Sequence, residues 1–260
     1  MKRPSSSGKS PVNAAIQQLE SLHRAGVRQL PRPSGRGVQE AQRSGGASGA
    51  QSAPPGDIPR PEVATAPRPT AASGATESLA TIAQEVAACR LCDELAATRT
   101  QTVFGVGNPN ARLCFLGEAP GADEDRRGEP FVGRAGQLLT KIIEACTLTR
   151  SDVYILNVLK CRPPKNRNPL PHEVANCRGF LNRQLALIQP EFLCCLGAVA
   201  AQTLLETDTT IGRLRGKILD YRGIRVVCTY HPAYLLRNPA AKKDCWDDMK
   251  MLMREMGVEL

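Results

Sequence analysis

The sequence predicts an α/β protein: a three-layer α/β/α sandwich around a central four-stranded parallel sheet, preceded by a disordered N-terminal tail. Three observations carry this. Four short apolar runs rich in β-branched residues recur after residue 110. Helix-length amphipathic segments lie between and around them. Residues 1–78 have a composition that cannot build a core. Near-continuous apolar runs mark strands buried on both faces, and their alternation with helices implies parallel crossovers.

The first 78 residues are rich in Pro, Gly, Ser and Ala and hold no Cys, Phe, Trp or Tyr. They carry ten Lys/Arg against five Asp/Glu. Such a segment cannot bury enough apolar area to offset its ordering entropy. Only VNAAIQQLESLHRAGV (12–27) has helical spacing, with Ile16, Leu22 and Val27 on one side, and it reads as a transient helix. The expected role of the tail is solubility; a basic arm adding non-specific DNA affinity is the weaker reading. The domain is expected over 79–260. Its strands are RLCFLG (112–117), VYILNVL (153–159), EFLCCLG (191–197) and IRVVCTY (224–230). Its helices are GQLLTKIIEACTL, HEVANCRGFLNRQLALIQ, AVAAQTLLET and KKDCWDDMKMLMREMG.

The net charge of +9 favours a polyanionic partner, because Lys and Arg release counterions from a phosphate backbone. Ten cysteines are too few for a disulfide scaffold of this length. The N-terminal charges precede no apolar signal-type run, and no run approaches the ~18 apolar residues of a membrane span. The thiols are therefore expected to be reduced and the protein cytosolic, so clustered cysteines point to metal or reactivity.

Ligands of open parallel sheets bind beyond the carboxyl ends of the strands. There the sequence places Gly117-Glu118-Ala119-Pro120-Gly121, then Asn157 with Lys160-Cys161-Arg162, then Gly197, then Tyr230-His231-Pro232. A carboxylate, an amide and an imidazole thus meet at one edge. An amide pairs bidentately with a base edge, an imidazole stabilises charge on a carbonyl oxygen, and a carboxylate orients water or balances a cation-like sugar. The turn GEAPGADEDRRGEPFVG resembles a phosphate loop but carries Glu118, Asp123, Glu124, Asp125 and Glu129, which a phosphate would reject. Phe131 in that turn offers a stacking face or a core side chain. Cys89 and Cys92 form a CxxC, and Cys161 and Cys177 are a second pair around an Arg162-Pro163-Pro164 loop. Four such thiolates ligate zinc or an iron–sulfur cluster; a single knuckle with two distant cysteines favours iron–sulfur. Cys114, Cys194, Cys195 and Cys228 lie in apolar strands and read as core residues.

These residues resemble the family 4 uracil-DNA glycosylases, the iron–sulfur branch of their superfamily. The matching stretches are CRLC (89–92), GEAPGADED (117–125), PFVGRAGQLL (130–139), NVLKCRPPKNRNP (157–169) and HPAYLLR (231–237), in the family's order. The resemblance implies a monofunctional DNA N-glycosylase of base excision repair. It would flip deoxyuridine from single- or double-stranded DNA, release uracil and leave an abasic site, acting as a monomer. Cys89, Cys92, Cys161 and Cys177 would hold a 4Fe–4S cluster. Glu118 and Ala119 would line the uracil site, Glu124 would sit near the ring edge, and Phe131 would stack on the base. Asn157 would read the Watson–Crick edge, and His231 would face O2. Glu118, Asn157 and His231 would be the catalytic group. Pro232–Arg237 would enter the minor groove, with Tyr234 and Arg237 on DNA and Leu235 and Leu236 as the wedge. Lys160, Arg162, Lys165, Arg167, Arg213, Arg215 and Arg237 would hold flanking phosphates. A related branch bonds covalently to the sugar through a histidine in a basic insertion; Arg126–Pro130 has no histidine, so turnover is expected. Thymine rejection would fall to the turn carrying Glu124. The rival readings are an iron–sulfur or zinc protein that binds nucleic acid without catalysis, and a glycosylase for other deaminated bases such as hypoxanthine.

Overall fold

The computed structural model describes residues 77–260. The expected tail, its 12–27 helix and any basic-arm role lie outside the described residues, apart from Glu77 and Ser78.

Helix α1 (Leu79–Ala88) opens on Ser78, whose hydroxyl accepts from the Thr81 amide at 3.1 Å, an ordinary N-cap. It buries Ile82 and Val86 and packs on the helix described below as α5. Helix α2 (Asp93–Thr98) begins directly at Cys92, with Asp93 and Glu94 complementing its N-terminus.

The sheet has six strands in the order β1-β3-β2-β4-β6-β5. Its centre is the four expected runs: β2 (Leu113–Gly117), β3 (Tyr154–Asn157), β4 (Phe192–Leu196) and β6 (Ile224–Thr229). β3, β2, β4 and β6 run parallel, with Leu116 opposite both Leu156 and Cys195, and Cys195 opposite Cys228. Two edge strands add to the four-stranded expectation. β1 (Val106–Gly107) and β5 (Ile218–Tyr221) pair antiparallel to β3 and β6. The β5–β6 hairpin closes through Arg222 (φ 54°) and Gly223 (φ 86°), with Tyr221 opposite Ile224. Two left-handed residues in a two-residue loop are what a hairpin following the strand twist requires.

Helices cover both faces. Alternate residues of each strand feed two separate cores. On one side Cys114, Leu116, Leu156, Leu193 and Cys195 pack with Leu181 and Leu185 of α5 (Pro171–Ile188) and Leu204 of α6 (Ala198–Leu205). On the other, Phe115, Ile155, Phe192 and Cys194 pack with Leu139 and Ile143 of α4 (Arg134–Ala145) and with Met249 and Leu252 of a C-terminal helix, Lys242–Glu255. Short helices α3 (Ala122–Arg127), α7 (Ile211–Leu214) and α8 (Pro232–Arg237) follow β2, α6 and β6, and Lys242–Glu255 is α9. Among the described residues no helix is long and apolar enough to cross a membrane. The cysteines read as core residues are buried, and burial pushes the Cys114 thiol up to about 12.

Candidate active site

The carboxyl ends of β2, β3 and β6 open into one crevice of about 520 Å³, lined by Glu118, Ala119, Glu124, Phe131, Asn157, His231 and Tyr234, among others. The six residues expected at a base site therefore do share one wall.

Asn157 ends β3 and is 2 % exposed. Its side-chain oxygen is buried and has no hydrogen-bond partner in the protein. Buried polar atoms are nearly always paired, so an unpaired one aimed at a cavity is a place for a ligand donor. Gly117 makes room for it. A Cβ at residue 117 would collide with Asn157 Oδ1 and would lie 2.6 Å from the Phe131 ring. Only a residue without a side chain lets both groups approach the end of β2.

Phe131 is held in a left-handed conformation (φ 54°), which costs a bulky residue strain. Three devices hold it. Arg150 donates to the Pro130 carbonyl at 2.9 Å and to the Phe131 carbonyl at 3.3 Å. Gly136 of α4 packs so tightly that a Cβ there would overlap the Phe131 carbonyl. Glu124 accepts from Val132 and Gly133 amides at 3.0 and 3.1 Å, and from Gly121 at 3.1 Å. Both Glu124 oxygens are thus spent stitching the acidic turn to the Phe131 turn. Glu124 lines the crevice as expected, but as the post that fixes its wall. Asp125 turns away altogether; it is buried and accepts from the Thr100 amide at 3.0 and 3.1 Å. Asp123 pairs with Arg126.

His231 is the N-cap of α8, and its Nδ1 accepts from the Ala233 amide at 3.1 Å. That fixes the tautomer: the proton sits on Nε2, which is a donor. Burial, and then the charge of Arg237, press its pKa down to about 4, against the opposing pull of Glu124. The ring is therefore a neutral donor at ordinary pH. Its centroid lies 5.6 Å from that of Phe131. Glu118 is half-buried, and burial alone raises its carboxyl above the usual range. Its carbonyl is tied to the Leu159 amide at 3.0 Å.

Helix α8 corrects one expectation. Leu235 is 1 % exposed and packs in the core with Leu139 and Met249. A helical turn cannot present consecutive residues to the same side, so Leu235 faces in, while Leu236 (37 % exposed) and Tyr234 (39 %) face out. Of the two leucines expected as a wedge, only Leu236 faces outward, with Tyr234 and Arg237 exposed beside it. Three of the expected phosphate ligands are also committed elsewhere. Lys160 is 1 % exposed, and its ammonium nitrogen donates to the Asn157 carbonyl at 2.8 Å. Arg215 binds the buried Asp248 and lies over Tyr230. Arg167 is paired with Glu173 and Glu94. Its loop, however, does form part of the crevice through Asn166, Arg167 and Asn168, residues the sequence reading did not assign to it.

Cys161 and Cys177 are buried, with Cys92 packed against the same cluster. Arg99 donates to the Cys161 sulfur at 2.9 Å and Asn176 to the Cys92 sulfur at 3.3 Å. Burial raises both the Cys161 and Cys177 thiols, Cys177 to about 11. Among the described residues no three ligand side chains are placed to hold a single metal ion. A donor set of four thiols with the Arg99 guanidinium on one sulfur and the Asn176 amide on another suits an anionic, many-atom group.

A family model described as the uracil DNA glycosylase superfamily matches residues 104–250. A type-4 uracil-DNA glycosylase of Archaeoglobus fulgidus is 47 % identical over 184 residues, covering 68 % of this chain and 92 % of its own. One from Thermotoga maritima is 44 % identical over 164 residues, 62 % of this chain and 85 % of its own. A type-5 uracil-DNA glycosylase of Pyrobaculum aerophilum is 34 % identical over 146 residues, 50 % and 64 % of the two chains.

Proposed function

The chain belongs to the uracil-DNA glycosylase superfamily, in its type-4 branch, and we propose that the crevice at the sheet edge is where it reads and releases uracil. It is a DNA N-glycosylase that excises uracil and leaves an abasic site. The observation that carries the placement is the buried, unpaired Asn157 oxygen.

A nucleotide extruded from DNA costs a few kcal/mol, least when mispaired. Phe131, clamped in its turn, stacks on the base; such stacking contributes ~1–3 kcal/mol. Asn157 Oδ1 accepts from uracil N3–H while its NH2 donates to O4. Cytosine reverses both, leaving a buried mismatch of ~1–3 kcal/mol per group. In this reading the wall tied down by Glu124 is what excludes the C5 methyl of thymine. As the glycosidic bond opens, negative charge gathers on the uracil ring, and the neutral Nε2–H of His231 donates to O2. A neutral donor stabilises that charge without having surrendered its proton first. Glu118 faces the cation-like sugar and aligns the attacking water. Leu236 enters the duplex behind the extruded nucleotide, with Tyr234 and Arg237 on the backbone. The protein acts as a monomer, in the cytosol where the DNA lies, on single or double strands.

Cys89, Cys92, Cys161 and Cys177 would hold a 4Fe–4S cluster. When bound, it supplies a cross-link from the CxxC to the 161–177 loop. That loop is one wall of the crevice.

The test is incubation with a uracil-containing oligonucleotide, single-stranded and as U:G, U:A and T:G duplexes, followed by alkali and gel analysis. Strand breaks are expected only where uracil stood. No breaks from protein carrying its full iron would remove the enzyme reading and leave a DNA binder.

A further inference from the structure

We propose that Lys160 is a positioning residue for Asn157, fixing the aim of the uracil-reading amide through its bond to the Asn157 carbonyl. The inference rests on the reading of Asn157 above. Lys160 is among the largest side chains that are fully buried, beside Phe115 and Phe192. A buried ammonium is costly unless opposite charge compensates it, and methionine would fill the same volume without that cost. The lysine must therefore serve something local.

Both of its ends are occupied. The side-chain nitrogen donates to the Asn157 carbonyl at 2.8 Å. The main-chain carbonyl accepts from the Val103 amide at 2.7 Å. Cys161, the next residue, takes a hydrogen bond from Arg99. Five residues thus join the two sites: Asn157, then Val158 and Leu159 bonded to the carbonyls of Gly117 and Glu118, then Lys160, then Cys161. The direction of the Asn157 carbonyl sets that residue's backbone, and the backbone sets where its amide points.

The test is Lys160→Met in the full-length chain, with four readouts: iron and visible absorbance, single-turnover uracil release, affinity for undamaged duplex, and the double variant with Asn157→Ala. We expect iron at the wild-type level and unchanged affinity for undamaged DNA. Release should slow about tenfold to a hundredfold, the scale of a small misplacement in a site. The double variant should be no slower than Asn157→Ala alone, because both act through one amide. A wild-type rate, independent losses in the double variant, or loss of iron would each overturn the proposal, the last by assigning the lysine to the cysteines alone. If Lys160→Met does not accumulate folded, Lys160→Leu is measured instead: release must slow while iron and undamaged-DNA affinity hold, and a retained rate contradicts the inference. A wild-type rate in Asn157→Ala is a different result, since it removes the Asn157 reading itself.

Discussion

Asp248 and Asn157 are both polar and almost equally buried, at 1 % and 2 % exposure, yet their surroundings are opposite. Asp248, on α9, accepts from Thr229 Oγ1 at 2.7 Å, from Arg215 at 3.0 and 3.1 Å and from the Gly216 amide at 3.0 Å. Nothing about it asks for a ligand; it fastens α9 to the end of β6. Asn157 stands at the end of a strand in the same sheet and leaves its oxygen unpaired. A second orphan, Gln184 Oε1, is outside the crevice, and its amide nitrogen donates to the Phe104 carbonyl at 3.0 Å. Burial alone thus separates nothing. What distinguishes a working polar group from a structural one is a missing partner at a cavity.

The largest effect should come from the satisfied group. Asp248→Ala leaves the partly buried Arg215 without its carboxylate and should destabilise the fold by about 3–5 kcal/mol, seen in urea unfolding. The fraction still folded should release uracil at the wild-type rate; a lost rate would place Asp248 in the chemistry after all.

Leu235 and Leu236 repeat the contrast on one helix. Leu235→Ala should cost about 2–5 kcal/mol of stability. Leu236→Ala should stay within about 0.5 kcal/mol and instead weaken binding to uracil-containing duplex. Equal stability losses for the two would mean that α8 packs differently.

Smaller effects follow pH. His231 has its pKa pressed from 6.5 to about 4, so the unfolded chain binds its proton first. The stability from burying it neutral is full above pH 6.5 and is lost as pH falls through 6.5 towards 4. Single-turnover release should fall in the same direction as His231 charges, because the Nδ1 bond to Ala233 is lost. Glu118, raised by burial, adds a loss on the acid side that Glu118→Gln removes along with most of the rate. A rate flat through this range would contradict both roles. The smallest effect is Arg150→Lys, which keeps a cation but loses the paired grip on Pro130 and Phe131; a few-fold slower release with stability within about 1 kcal/mol is expected.

The sheet's parallel core was legible because β2, β3, β4 and β6 are unbroken apolar runs, which buried strands must be. The edge strands were not. β1 is two residues long, and β5 alternates half-buried with exposed positions, so neither shows the same signal. The Arg222-Gly223 pair was the available sign of the hairpin. That Glu118, Asn157 and His231 would meet at one crevice was legible through the rule that strands end at ligands; Phe131, in the turn before α4, was legible only as an aromatic within the matching motif. Lys160 and Arg215 were not, because charge read along the chain says nothing of whether a cation meets solvent or a buried acceptor. Leu235 was misplaced for want of helical phase in a six-residue segment. Arg150 lies in a loop far from the motifs, and only its bonds to the Phe131 turn reveal it.

The most direct test measures two quantities on Asn157→Ala: single-turnover uracil release and the thermal midpoint. The account predicts a rate lower by about a hundredfold or more, as for removal of a preorganised donor, with a midpoint equal to or above that of the wild type. A midpoint lowered by several degrees with the rate retained would put Asn157 beside Asp248, as a group that holds the fold and reads nothing.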